Sequence, residues 1–126
     1  MLTLARYGTR DVARAREFYD AIAAVIGATR VMDYPGVIAY EGPSGGMFMV
    51  GTPFEGEANA GNGTQVGFAV ETSDIVDTAH AKAMELGGQC AGPPGPRGEG
   101  GEFYAAYFRD RDGNKVMVFR TAPGFS

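Results

Sequence analysis

Gly92-Pro93-Pro94-Gly95-Pro96-Arg97, followed by Phe103-Tyr104-Ala105-Ala106-Tyr107-Phe108-Arg109 and the turn Asp110-Arg111-Asp112-Gly113-Asn114, is the stretch that decides the fold. An aromatic run bounded by Gly, Pro, Asp and Asn reads as a strand entering a tight turn. The strand-like run Lys115–Arg120 follows, so the segment closes a hairpin. An earlier stretch repeats the plan: Gly45-Gly46-Met47-Phe48-Met49-Val50 lies over Gly113-Asn114-Lys115-Val116-Met117-Val118 at an offset of 68. Repetition at this scale predicts two units, each too small to bury its own sheet face.

The remainder of each unit follows from periodicity. From Asp11 to Ile26 the apolar residues Val12, Ala15, Phe18, Tyr19, Ile22, Val25 and Ile26 recur at three- and four-residue spacing, which predicts an amphipathic helix. Thr9 or Asp11 suits its N-cap, and Gly27 its left-handed close. A second helix is expected from an N-cap near Ser73, through Ile75, Val76, Ala79, Ala83, Met84 and Leu86, to Gly87-Gly88. Gly27 and Gly88 are 61 positions apart. Three short strands are expected after each helix: Thr29–Tyr34, Val37–Glu41 and Met47–Thr52, then Gln89–Ala91, Phe103–Arg109 and Lys115–Arg120. The chain therefore reads as one α+β domain of two βαβββ modules, about 1–54 and 65–126, joined by the Gly- and Asn-rich linker 55–64. With a helix over the outer face of each sheet, the modules together form a curved mixed sheet around a cup, within one chain or between two.

Composition limits the function. A net charge of −4, with Lys and Arg scattered along the chain, argues against nucleic acid. The longest apolar run, Ala21 to Ile26, is far short of the ~20 residues that span a bilayer, so no membrane role is expected. The single Cys90 asks for no oxidising compartment, and the cytoplasm is the expected location.

Alternation along the strands sorts side chains by face. Val66, Phe68 and Val70, Phe48 and Val50, and Val116 and Val118 form aliphatic or aromatic rows that call for a helix above them. The opposite rows then face the cup. For Leu2–Gly8 the parity alone is undecided between Leu4 with Arg6 and Ala5 with Tyr7.

The helix beginning at Asp11 with Phe18-Tyr19-Asp20, the loop Gly92 to Arg97, and the turn Asp110-Arg111-Asp112-Gly113-Asn114 resemble the glyoxalase, bleomycin-resistance and extradiol-dioxygenase superfamily, the vicinal oxygen chelate proteins. The match is with a glyoxalase-like subgroup, although Arg111 stands where a proline is usual. The resemblance implies that Leu4 faces inward, and the cup is then lined by Leu4, Arg6, Met47, Met49, Gln65, Ala69, Lys115, Met117 and Phe119. It also implies that the metal ligands of metal-dependent members fall on Leu4, Met49, Gln65 and Met117. Leucine has no donor atom, a thioether is soft, and one amide carbonyl cannot hold a hard divalent cation, so neither a metal nor another cofactor is expected.

Other reactive residues read less sharply. His80, the only histidine, is expected on a helix flank, and Cys90 to pack as a small hydrophobe with no His or Lys beside it in sequence. Arg97 reads either as a guanidinium fork for a carboxylate or phosphate or as a solvated loop charge. Tyr104 and Tyr107 offer hydroxyls to a ligand or rings to the core.

The leading expectation is a metal-free protein that binds a small hydrophobic or aromatic molecule in a methionine-rich cup. Leu4, Arg6, Met49, Gln65, Arg97, Tyr104, Lys115 and Met117 are its candidate contacts. One alternative is a glyoxalase-like lyase, isomerase or dioxygenase using no metal or unusual ligands, with Glu99 or Glu102 as base. Another is an interaction-only module. A two-fold homodimer is expected under each.

Overall fold

The computed structural model describes residues 1–98, 100 and 102–121. The chain runs β1 (Leu4–Gly8), α1 (Val12–Ile26), β2 (Thr29–Tyr34), β3 (Val37–Glu41) and β4 (Met47–Gly51). It continues with β5 (Val66–Ala69), α2 (Ser73–Glu85), β6 (Gln89–Arg97), β7 (Phe103–Arg109) and β8 (Lys115–Arg120). Two four-stranded mixed sheets result, ordered β1-β4-β3-β2 and β5-β8-β7-β6. In each, the first strand pairs in parallel with the last, and the rest are antiparallel. The expected α+β class and its repeated halves are therefore present. No helix among the described residues is long and apolar enough to cross a membrane.

The helix caps follow the side-chain chemistry. Asp11 accepts from the Arg14 N–H at 3.1 Å, and Gly27 ends α1 in the left-handed region at φ 83°. Thr72 rather than Ser73 caps α2, taking the Ile75 N–H at 3.2 Å. Both hydroxyls suit the position, and backbone geometry selects the residue that is still extended. Likewise the positive φ after α2 falls on Gly87 and not on Gly88. The largest departure is β6, expected to stop at Ala91 but reaching Arg97 through Gly92-Pro93-Pro94-Gly95-Pro96. Register shifts between Cys90 and Gly92 and between Gly92 and Gly95 place prolines where ladder N–H groups are not required, on an edge strand.

One core joins the halves. Phe18, Tyr19 and Ile22 of α1, Phe48 and Val50 of β4, Val76, Ala79 and Ala83 of α2, and Phe108, Val116 and Val118 of the second sheet form a single buried cluster. The helices touch each other, Phe18 packs on Phe108 with ring centroids 5.9 Å apart, and Phe48 packs on Phe68 at 5.2 Å. Tyr7 crosses between the sheets, its hydroxyl donating to the Lys115 carbonyl. Burial, the largest influence, pushes this phenol up to about 12.

The β7–β8 turn ties these parts together. Asp110 accepts from the N–H groups of Asp112 and Asn114, the Asn114 amide and the Tyr19 hydroxyl, the last at 2.7 Å. Arg111 donates through Nε to the Leu86 carbonyl at 2.7 Å and pairs with Glu17 at 3.1 Å, joining the turn to both helices. Asp112 takes the Thr9 hydroxyl at 2.6 Å and the Arg10 backbone and side chain at 3.0 and 3.1 Å. Its partial burial would raise the carboxyl, but the Thr9 and Arg10 bonds outweigh that and hold it below the usual carboxylate value. A lowered folded-state value means stabilisation present above the unfolded value of ~3.9 and lost as pH falls through the folded one. Asp112→Asn is accordingly expected to cost about 1–2 kcal/mol at pH 7 and progressively less below about pH 4, measured by urea unfolding across pH.

Candidate functional site

Each sheet has one face under its helix and one face open. On β1, Tyr7 points to the core while Leu4 and Arg6 lie on the open side, which resolves the parity that the sequence leaves undecided. Leu4 stands opposite Met47 and Arg6 opposite Met49, so the open row of the first sheet joins all four. Arg6 donates to the Thr52 carbonyl at 2.8 Å. In the second sheet Val116 and Val118 are fully buried, and Lys115, Met117 and Phe119 line the open side. Gln65 sits beside them, its amide 3.7 Å from the Met117 sulfur.

The centre of that second face is Tyr107. It stands opposite Met117 on β8, with the Lys115 ammonium 5.2 Å and the Arg97 guanidinium 5.7 Å from its ring centroid. Both separations fall within cation–π range. Gly92, across from Tyr107 on β6, makes the arrangement possible, because a Cβ there would lie 2.8 Å from the Tyr107 ring. Arg97 is not in a loop. As the last residue of β6 it folds back, donating through Nη2 to the Pro93 carbonyl at 2.6 Å, which brings its charge over the ring. Phe103 and Phe119 extend the apolar surface with centroids 5.5 Å apart.

The electrostatics of this face differ from those of the whole chain. None of β5, β6, β7 and β8 contains an Asp or Glu, whereas they carry Arg97, Arg109, Lys115 and Arg120. Arg120 belongs to the helix side, donating to the Ser73 hydroxyl at 3.0 Å. Arg109, opposite Lys115, spends a donor on the Gly113 carbonyl at 2.8 Å. Basic residues that are scattered in sequence are thus gathered on one face of a protein whose net charge is −4. Such a surface favours a ligand with an aromatic or apolar body and a negative head.

Tyr104 departs from expectation. It pairs with Arg120 in register, one position off the Tyr107 row, and so lies on the side of α2, where its hydroxyl donates to Asp77 at 2.6 Å. Cys90 is exposed rather than packed, and its sulfur lies 3.2 Å from His80 Nε2. Glu102 is exposed, and Glu99 lies outside the described residues. Tyr107 and Arg109 enter the face although the sequence offered only one of them weakly; the absence of carboxylates from four successive strand runs was the readable signal.

The positions that the sequence resemblance implies for metal ligands do not fit a hard cation. Leu4 lacks a donor, Met49 and Met117 offer thioethers, and the Gln65 amide N–H is directed to the Met117 sulfur. Among the described residues no three His, Cys, Asp or Glu side chains converge. An apolar cavity of about 360 Å³ opens on the helix side, between Tyr19 and Ile22 of α1, Phe48 of β4 and Val66 and Phe68 of β5, and reaches Leu4, Met47 and Gln65 at the rim of the open faces.

Comparison with known proteins adds the family. The model of the Glyoxalase/Bleomycin resistance protein/Dioxygenase superfamily matches residues 3–118. A glyoxalase/bleomycin resistance protein from Albidiferax ferrireducens T118 is 34% identical over 95% of this chain and 98% of its own, with a TM-score of 0.87. A glyoxalase-related enzyme from Fulvimarina pelagi, 17% identical over 96% and 88%, gives 0.75. The fosfomycin resistance protein FosX from Mesorhizobium loti, 17% identical over 98% and 92%, gives 0.66. The last two share the fold. No curated protein is a significant match.

Proposed function

Because the chain belongs to the Glyoxalase/Bleomycin resistance protein/Dioxygenase superfamily, we propose that it uses that scaffold, without a metal, to hold a small aromatic or apolar anion. The reading rests on one observation: Tyr107 lies under two cations, beside Met117, on a sheet whose strands carry no carboxylate. Lys115 and Arg97 meet the negative head, Tyr107, Met117 and Phe119 hold the body, and Gln65 adds a polar contact at the rim. In the first sheet, Leu4, Arg6 and Met49 form the matching wall.

The two walls come together between copies. Within the chain the halves are joined through their helix-covered faces, and among the described residues no strand pairing links β1 or β5, each an outer strand, to the other sheet. A two-fold homodimer that sets the first sheet of one protomer against the second sheet of its partner closes the cup and covers exposed Leu4. Modules 1–54 and 65–126, joined by 55–64, act as one domain in the cytoplasm.

The aromatic sulfonate 8-anilinonaphthalene-1-sulfonate has the required shape and charge, and its fluorescence reports binding. Arg97→Gln with Lys115→Gln is expected to weaken it by about tenfold or more, equivalent to at least ~1.4 kcal/mol. The neutral probe N-phenyl-1-naphthylamine should be affected much less. Ala28→Trp, at a partly buried position in the wall of the helix-side cavity, should leave sulfonate binding unchanged. Unchanged affinity in the double variant, or loss in a folded Ala28→Trp alone, overturns the assignment and moves the ligand to that cavity.

A further inference from the structure

We propose that Cys90 and His80 form a thiol–disulfide exchange site on the outer flank of the second sheet, separate from the open face. Cys90 is opposite Phe108 in the β6–β7 register, and Phe108 is buried on the helix side, so the Cys90 side chain points toward α2. Because β6 is the edge strand, the thiol is only partly overlaid by the helix and remains exposed. His80 projects from α2 to meet it, with Nε2 and Sγ 3.2 Å apart.

The surroundings of the imidazole suit it to take the thiol proton. Partial burial lowers the His80 value and outweighs the opposing charge of Asp77, leaving the ring neutral and able to accept at neutral pH. Asp77, one helical turn earlier, is held by the Tyr104 hydroxyl at 2.6 Å. Tyr104 with Asp77 and His80 with Cys90 are thus two hydrogen-bonded pairs on adjacent turns of α2, linked by the charge of Asp77 acting on His80. The sequence concealed the second pair, since ten residues separate the histidine from the cysteine.

The co-reactant is a low-molecular-weight disulfide. Cys90 transfers its proton to His80 Nε2, and the thiolate attacks one sulfur of the disulfide. The new S–S bond forms as the old one breaks, and the departing thiolate takes the proton back from His80. One disulfide is consumed, one thiol is released, and the protein carries a mixed disulfide. With no second cysteine in the chain, the adduct persists until an external thiol reverses the exchange.

Intact-mass spectrometry of the full chain after timed exposure to oxidised glutathione tests this. One adduct per chain is expected in the wild type and none in Cys90→Ser. At equal pH, the folded wild type should react about tenfold faster than the same chain in urea. In His80→Gln, shown to be folded by its circular dichroism, that ratio should fall to about one. A wild-type thiol no faster folded than unfolded, or a His80→Gln protein that keeps the acceleration, overturns the proposal. Asp77→Asn, which removes the charge acting on His80 while keeping an oxygen acceptor for Tyr104, should shift the pH at which the folded rate rises without abolishing the adduct; an unshifted profile removes Asp77 from the site.

Discussion

Asp110→Ala is expected to destabilise the protein by about 4 kcal/mol, the cost of removing a buried charged acceptor from its donors. Asp110 is 6% exposed and takes four donors on its two oxygens. Truncation leaves the Tyr19 hydroxyl without its acceptor in a residue that is 2% exposed. Burial, followed by the Asp110 charge, holds that phenol well above its ordinary value, so it stays a donor at every working pH. It also frees the turn that carries Arg111 and Asp112 to the two helices. The Asn114 side chain keeps only its bond to the Gly8 carbonyl. Thermal unfolding should show a drop in Tm of roughly 10–20 °C. A loss below about 1 kcal/mol would mean that water reaches these donors once the carboxylate is gone.

Phe18→Ala should be of similar size for a different reason. Its ring is 1% exposed and packs 5.0 Å from Tyr19 and 5.9 Å from Phe108, so it is where α1 of the first half meets the sheet of the second. Removing it deletes buried apolar area and leaves a void lined by elements too constrained to collapse, a cost of about 4 kcal/mol. Phe54, 99% exposed, provides the control: its truncation is expected to stay within about 0.5 kcal/mol. If both variants lose stability equally, the interface between the halves does not hold the fold together. Urea unfolding of the two proteins decides it.

What the sequence disclosed was local and periodic. The buried rows Phe48 with Val50 and Val116 with Val118 follow from alternation, and Asp11 and Gly27 cap α1 because capping is a short-range transaction. β6 escaped because proline and glycine speak against a strand, and only a bulged edge position tolerates them. Cys90, read as a packed hydrophobe, is exposed because its burial depends on how far α2 overlaps an edge strand, which no local pattern encodes. Tyr104 and Tyr107, three residues apart, fall on opposite faces by simple parity, yet offering both to one ligand ignored that count. Asp110 looked like part of a turn and proved to be the joint between turn, helix and neighbouring strand, a role visible only when residues about a hundred positions apart are brought together.

Alternation along β8 also bears on how this lineage can change. Val116 and Val118 answer to the core, whereas Lys115 and Met117, their immediate neighbours, answer to whatever meets the open face. Substitutions in the second pair should be nearly silent in stability while altering charge and shape, so a new specificity can be reached in single steps with no unfolded intermediate on the way. Proteins only 17% identical that keep this architecture are what such a division of duties would leave behind.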